Sequence, residues 1–503
     1  MGNTFMETLT NGANMTYTTN GAKAYKSTNS KVYDMFAFGG AYRRRSDADC
    51  ILLFKEAFEE DAVLALKCLF YLRDCRGGQG ERRFFRVCFR WLVQNYPDVA
   101  QVMLPNVSEY GRWDDLIYTC LYTDLEDAMA LMVKTQFVLD LSCRTPSLLG
   151  KWMPSENASA LETKKAASKM RNYLGMTHKQ YRQALSNLRS RINIVEKLMS
   201  ENRWSEIEFD KLPSKAGLIY KNAFARRDLL AKKYEQFIKS ADTKVNAKTL
   251  YPYEVVAEAK KAFSASLNSV DRAAVEKYWN NLPDYLNGEP CKMMCVVDTS
   301  GSMTGYNADA PINVAISLGM YCAERIGGDF KNHYISFSSR PQFINITGVD
   351  FVDKVQRIYR TNLCENTNIE ATFALLKDAA LKSKPEDRPE TIVIISDMQI
   401  DSMSGGGYWN RGVDTYGKRW TQDSAATEME LIRKDWEQSG LECPKLVYWN
   451  VNASNSTILD AGPNVSFVSG CSPTIFEQVL TGVSGYDLML KKLMSERYEA
   501  ITL

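Results

Sequence analysis

The chain has 503 residues, room for roughly two to four domains. Hydrophobic residues are 45% and charged residues 24%, which excludes a wholly disordered, collagen-like or mostly membrane-embedded protein. The net charge of +2 hides an uneven division: residues 291–503 carry 20 basic and 26 acidic side chains, whereas residues 1–290 carry 42 and 34. Within the first part, Lys169 to Lys248 holds 18 basic against 8 acidic residues, an excess that points to a polyanionic partner.

Residues 1–30 are polar, rich in Thr and Asn, and predict a lead-in with a flexible tip. They show no basic region followed by an apolar stretch, so no secretory signal is expected. From about Ala48 to Ser240 the apolar residues recur at threes and fours, over Ala62–Leu72, Phe84–Val93, Leu116–Val133, Tyr181–Met199 and Ala223–Phe237. Many short helices joined by short loops predict a HEAT-like α-solenoid over residues 31–285, capable of curling into a ring. The texture changes near Asn287–Pro290. Short buried strands are expected at Lys292–Val297, Tyr334–Phe337, Thr391–Ile395, Lys445–Trp449 and Val465–Val468. Helices are expected between them at Pro311–Ile326, Ile369–Lys382, Thr427–Ser439 and Thr474–Leu480, giving a doubly wound parallel sheet over residues 290–503.

Twelve cysteines are scattered without a framework, and with only His178 and His333 a Cys/His zinc site is not expected. Reduced thiols in a cytoplasmic protein are the plain reading. No apolar run approaches the roughly 18 residues of a membrane span.

The strongest chemical signal follows the first expected strand of the second domain: Asp298–Thr299–Ser300–Gly301–Ser302. One carboxylate and two hydroxyls on a tight loop suit a hard cation such as Mg²⁺ or Mn²⁺. Open α/β sheets place their ligands at this end of the strands. Asp397 follows the strand at Thr391–Ile395, and Thr367 precedes the helix at Ile369. These residues resemble the von Willebrand factor A (vWA) domain and its metal-ion-dependent adhesion site. The resemblance implies Asp298, Ser300, Ser302, Thr367 and Asp397 as metal ligands, with an open position taken by a partner's acidic side chain. A long Gly-, Tyr- and Trp-containing insertion at Ser402–Gln422 departs from that pattern and is expected on the metal face. No Gly-x-Ser-x-Gly elbow or phosphate-cradling loop is present, so no catalysis is expected.

The helical part is similar to the TROVE module of Ro ribonucleoproteins, which precedes an A domain in the same order. It is more similar to a sister family of uncharacterised TROVE-like proteins. The stretches that carry this are Tyr71–Arg82, Tyr110–Leu116, Lys151–Ser155 and Pro213–Ala216, with Val468–Pro473 near the end. Thr177–His178–Lys179 matches the Ser-His-Lys of a basic Ro stretch implicated in RNA contact, although the family's later arginine is out of register with Arg182.

On a helix, Tyr181, Leu185, Leu188, Ile192 and Met199 would share an apolar face, and His178, Arg182 and Arg189 would lie within roughly 40° of one another on its flank. The expected RNA contacts are Lys169, Arg171, His178, Lys179, Arg182, Arg189, Lys215 and Lys221. Trp204, Tyr220, Phe224 and Tyr234 are candidates to stack on unpaired bases, core packing being the plainer reading of each. The expectation is a monomeric, non-catalytic protein that binds single-stranded ends or small structured RNA and uses a divalent cation to recruit a protein. The alternative is a metal-dependent interaction and assembly module without RNA.

Overall fold

The computed structural model describes residues 14–192, 195–264, 267–288, 291–305, 307–337, 341–361, 368–400, 427–453, 456–460, 462 and 464–503. It opens with an antiparallel hairpin of β1 (Met15–Tyr17) and β2 (Lys23–Tyr25). The helical part follows: α1 (Lys31–Phe38), α2 (Asp47–Glu60), α3 (Ala62–Arg73), α4 (Arg82–Asn95), α5 (Pro97–Tyr110), α6 (Trp113–Cys120) and α7 (Glu126–Ser142). It continues through α8 (Leu149–Trp152), α9 (Leu161–Tyr173), α10 (His178–Arg191), α11 (Val195–Ser200), α12 (Ser214–Arg226), α13 (Asp228–Lys239), α14 (Pro252–Lys260) and α15 (Ser269–Asn280).

The α/β part contains β3 (Met293–Asp298), α16 (Pro311–Arg325), β4 (His333–Phe337), β5 (Gln342–Asn345), α17 (Phe351–Tyr359), α18 (Ile369–Lys382) and β6 (Thr391–Ser396). It ends with α19 (Glu428–Gln438), β7 (Lys445–Asn450), β8 (Val465–Ser469), α20 (Ile475–Val479) and α21 (Gly485–Leu493).

The six-stranded sheet has the order β5-β4-β3-β6-β7-β8, parallel except for the edge strand β5. Chain order reverses between β3 and β6, so their adjacent carboxyl ends form the switch point where such sheets bind ligands. Both strands are buried almost throughout, which matches their continuous apolar runs. Helix α16 lies close against β3: a Cβ on Gly319 would stand 2.4 Å from Val297 Cγ2.

Helix boundaries follow local chemistry. Thr177 caps α10, accepting the Gln180 N–H at 3.3 Å while Gln180 accepts the Thr177 N–H at 2.8 Å. The helix expected through Met199 instead ends at Arg191, and α11 begins at Val195. Tyr181, Leu185 and Leu188 form the buried face of α10, as the spacing predicts. The helix expected over Ala223–Phe237 is broken at Arg227, where the backbone is extended.

The helical path returns on itself. The Tyr251 hydroxyl, just before α14, donates to the Gln79 carbonyl at 2.7 Å. Gly80 has φ +67°, and a side chain there would strike that hydroxyl. Arg43 lies 5.8 and 5.9 Å from the ring centroids of Tyr251 and Tyr253 and hydrogen-bonds Glu81 at 2.6 Å.

The α/β part joins the same seam. Gln79 packs against Gly470, and the Gly40 N–H donates to Ser469 at 3.0 Å. Arg497 donates two hydrogen bonds to Asp74, at 2.8 and 3.0 Å. The glycine-rich stretch Tyr71–Arg82 is thus a structural hub. Arg73 donates to Asp115 at 2.6 and 2.8 Å, tying that stretch to Tyr110–Leu116.

The described start of the chain is not a free lead-in. Ala22, Ala24 and Tyr25 are buried, and Tyr25 pairs with Ile458 of the α/β part. A three-residue strand carries too short an alternation to be legible in sequence.

Candidate metal centre and basic surface

Asp298 ends β3 and Asp397 follows β6, which places both buried carboxylates at the switch point. The Ser300 N–H donates to Asp298 Oδ1 at 2.8 Å, and the Ser396 hydroxyl donates to Oδ2 at 2.5 Å. Ser300 Oγ and Ser302 Oγ lie 3.1 Å apart. The Asp397 carboxyl is pushed up to about 7 by burial and then by the neighbouring Asp298 carboxylate, against hydrogen bonds from the Gln399 N–H and the Ser302 hydroxyl. Four of the five expected ligands therefore converge. Thr367 lies outside the described residues, as does the 402–422 insertion.

Two buried carboxylates, of which Asp298 raises the proton affinity of Asp397, with serine hydroxyls beside them, offer only oxygen donors, the chemistry that would suit a hard divalent cation. Among the described residues no cluster of three or more His, Cys, Asp or Glu offers a softer site.

Sequence reasoning missed Ser396, whose hydroxyl also accepts the Met398 N–H at 2.9 Å. Its signal was its place at the end of a buried strand. It also missed Gln399, whose N–H donates to Asp397 Oδ1 at 3.2 Å. Between Asp397 and Gln399, Met398 has φ +62°, a left-handed conformation costly for a large side chain.

The basic candidates divide into different environments. Lys179 and Arg182 are exposed on α10, with no ion-pair partner among the described residues. His178 is 70% exposed and lies 2.8 Å from Glu156, which also pairs with Arg171 at 3.0 Å. Lys169 pairs with Glu126 at 2.5 Å and lies 4.3 Å from the centroid of Tyr122. Arg189 is consumed internally: it donates to the Gly150 and Met153 carbonyls and to Ser155 Oγ at 2.9–3.0 Å.

Lys215 and Lys221 sit on α12 and face α14 rather than α10. Lys215 is exposed and pairs with Glu254 at 2.6 Å. The Lys221 side chain is 4% exposed and pairs with Glu258, so it presents no charge to a ligand. A cleft of about 520 Å³ opens beside α10 and α11, lined in part by Arg182, Arg189, Lys197 and Ser155 and also by Glu156 and Glu196.

Of the candidate stacking rings, Phe224 and Tyr234 are core residues packed with Phe209. Trp204 is half-buried under Arg227, whose guanidinium lies 4.7 Å from the ring centroid. Tyr220 is half-buried and reaches Glu196. No helix among the described residues is long and apolar enough to cross a membrane.

The chain is 29% identical to the uncharacterized protein L728 of Acanthamoeba polyphaga mimivirus, an alignment covering 89% of this chain and 81% of that protein. The RO (RSR) protein of Deinococcus radiodurans superposes with a TM-score of 0.50 at 13% identity, covering 91% of this chain and all of that one. That likeness shows a Ro-like fold, a helical part followed by a vWA-like α/β domain. A domain of unknown function, DUF7788, matches residues 292–496. A second, DUF2828, matches residues 18–148 and 148–289. Because that second model spans more than half of its length, the chain belongs to the DUF2828 family.

Proposed function

We propose that this chain is a non-catalytic RNA-binding protein of Ro-like type. Its helical part binds single-stranded ends or small structured RNA, and its vWA-like domain binds Mg²⁺ or Mn²⁺ and recruits a protein through an acidic side chain. The observation that carries the RNA reading is charge placement. Lys169 to Lys248 has ten more basic than acidic residues. Within it, Lys179 and Arg182 are exposed on one helix without acidic partners among the described residues, and Arg182 opens onto a cleft. Unneutralised cations beside a cleft attract phosphates by charge and counterion release.

At the metal centre Asp298, Asp397, Ser300 and Ser302 would hold the cation. When bound there, the cation would supply a Lewis-acidic position for an incoming carboxylate, and the Ser396 hydroxyl holds the Asp298 carboxylate. One observation favours the second reading, an interaction module without RNA. Lys169, Arg171, Lys215 and Lys221 are each already paired with a glutamate.

The test titrates wild type and Asp298→Ala with a single-stranded RNA oligonucleotide and, separately, with Mn²⁺. The proposal expects Asp298→Ala to lose Mn²⁺ and keep RNA. Loss of RNA binding by the folded variant contradicts the division of labour. Wild type that binds no RNA removes the RNA reading.

A further inference from the structure

We propose that the N-terminal hairpin is a working part of the metal centre: Thr18, Thr19 and Asn20 are positioning residues that hold the Asp397 loop in its metal-binding geometry. The inference rests on the metal reading given above.

The contacts are specific. The Thr18 hydroxyl donates to the Ile400 carbonyl at 2.7 Å. The Thr19 N–H donates to Gln399 Oε1 at 2.9 Å, and the Asn20 amide donates to the Gln399 carbonyl at 2.8 Å. The β1–β2 turn therefore grips both the side chain and the main chain of Gln399. That residue's own N–H reaches Asp397 Oδ1.

The gripped residues directly follow Met398, which has φ +62°. A left-handed methionine persists only where its surroundings hold it, and the hairpin supplies contacts on its C-terminal side. The turn itself is anchored. Thr18 Oγ1 accepts the Ala22 N–H at 3.0 Å, and Tyr25 donates to Glu430 at 2.8 Å while pairing with Ile458.

A segment that follows the opposite metal loop is contacted from the other end of the helical part. Lys260 donates to Asn313 Oδ1 at 2.8 Å, and the Asn313 amide donates to the carbonyls of Asn307 and Ala308, beyond the Asp298–Ser302 loop. A cation that needs Asp397 in place must favour the docked hairpin, and by linkage the docked hairpin must favour the cation.

The full chain carrying Thr18→Val and Asn20→Ala tests this, with Mn²⁺ binding measured by calorimetry. Coupling of this kind is typically about 5–150-fold, so at least about fivefold weaker binding is expected. Binding equal to wild type overturns the proposal and leaves the metal reading intact. Wild type that binds no Mn²⁺ overturns both, and Asp298→Ala supplies the metal-free reference.

Hydrogen exchange of wild type gives a second measurement that does not depend on the variant folding. Mn²⁺ should slow exchange in peptides spanning residues 14–25, and this slowing should vanish in Asp298→Ala. Unchanged exchange in wild type carrying bound Mn²⁺ overturns the proposal.

Discussion

Replacing Lys179 and Arg182 together with alanine should change how RNA binding responds to salt. Both side chains are exposed on α10 and neither has an ion-pair partner among the described residues, so their removal breaks no described ion pair. Each phosphate contact with a single strand contributes about 0.7 to the slope of log affinity against log salt. Losing two lowers the slope by about 1.4, which over a rise from about 50 to about 200 mM salt amounts to about a sevenfold difference in lost affinity.

The assay is fluorescence anisotropy with a labelled single-stranded RNA at several salt concentrations. Lys221→Met is the control. Lys221 is buried against Glu258, so its loss should lower thermal stability and leave the slope unchanged. A double variant with the wild-type slope, or a Lys221→Met slope reduced as much, would refute the assignment of phosphate contacts to the exposed face of α10.

Three further outcomes follow from the seam and the sheet. Asp115 is buried and accepts hydrogen bonds from both Arg73 and Arg86; Asp115→Ala strands the buried Arg73 guanidinium and leaves Arg86 only Asp114, and should cost about 3–5 kcal/mol in urea unfolding, so a cost under about 1 kcal/mol would contradict it. Burial works to raise the Asp74 carboxyl, but hydrogen bonds from Arg497 and from the N–H groups of Arg76 and Gly77 outweigh it and hold the group below its usual range. Its stabilisation is therefore present above the ordinary carboxylate range and lost as pH falls through the lowered value; unfolding curves below about pH 4 should be steeper in pH for wild type than for Asp74→Asn, and identical slopes would count against it. Gly319→Val forces side-chain atoms into Val297 and should destabilise by about 1–3 kcal/mol; an unchanged melting temperature would contradict the close approach of α16 to β3.

Much of the fold was legible because its signals are periodic. Continuous apolar runs marked β3, β6 and β7, and helical spacing marked the buried face of α10. The short edge strand β5 and the N-terminal hairpin were not legible, since three or four residues carry no usable period. The metal centre was legible as an Asp-x-Ser-x-Ser loop plus a distant carboxylate. Ser396 and the hairpin's hold on Gln399 emerge only when strand ends and turns are brought together.

Counting cations overstated the basic surface. Lys221 and Arg189 look like surface charge in sequence, but their partners Glu258 and the 150–155 segment lie tens of residues away. Tyr71–Arg82 was recognisable as a family signature. Its role as the junction of three chain regions depends on long-range partners such as Tyr251, Asp115 and Arg497.

The most direct measurement is to purify the protein from cells at low salt, compare its nucleic-acid and protein ultraviolet absorbance, and sequence whatever RNA co-elutes. An RNA reading predicts a high nucleic-acid ratio that RNase and high salt both abolish. A protein-like ratio at low salt would contradict it and leave the metal-dependent interaction module.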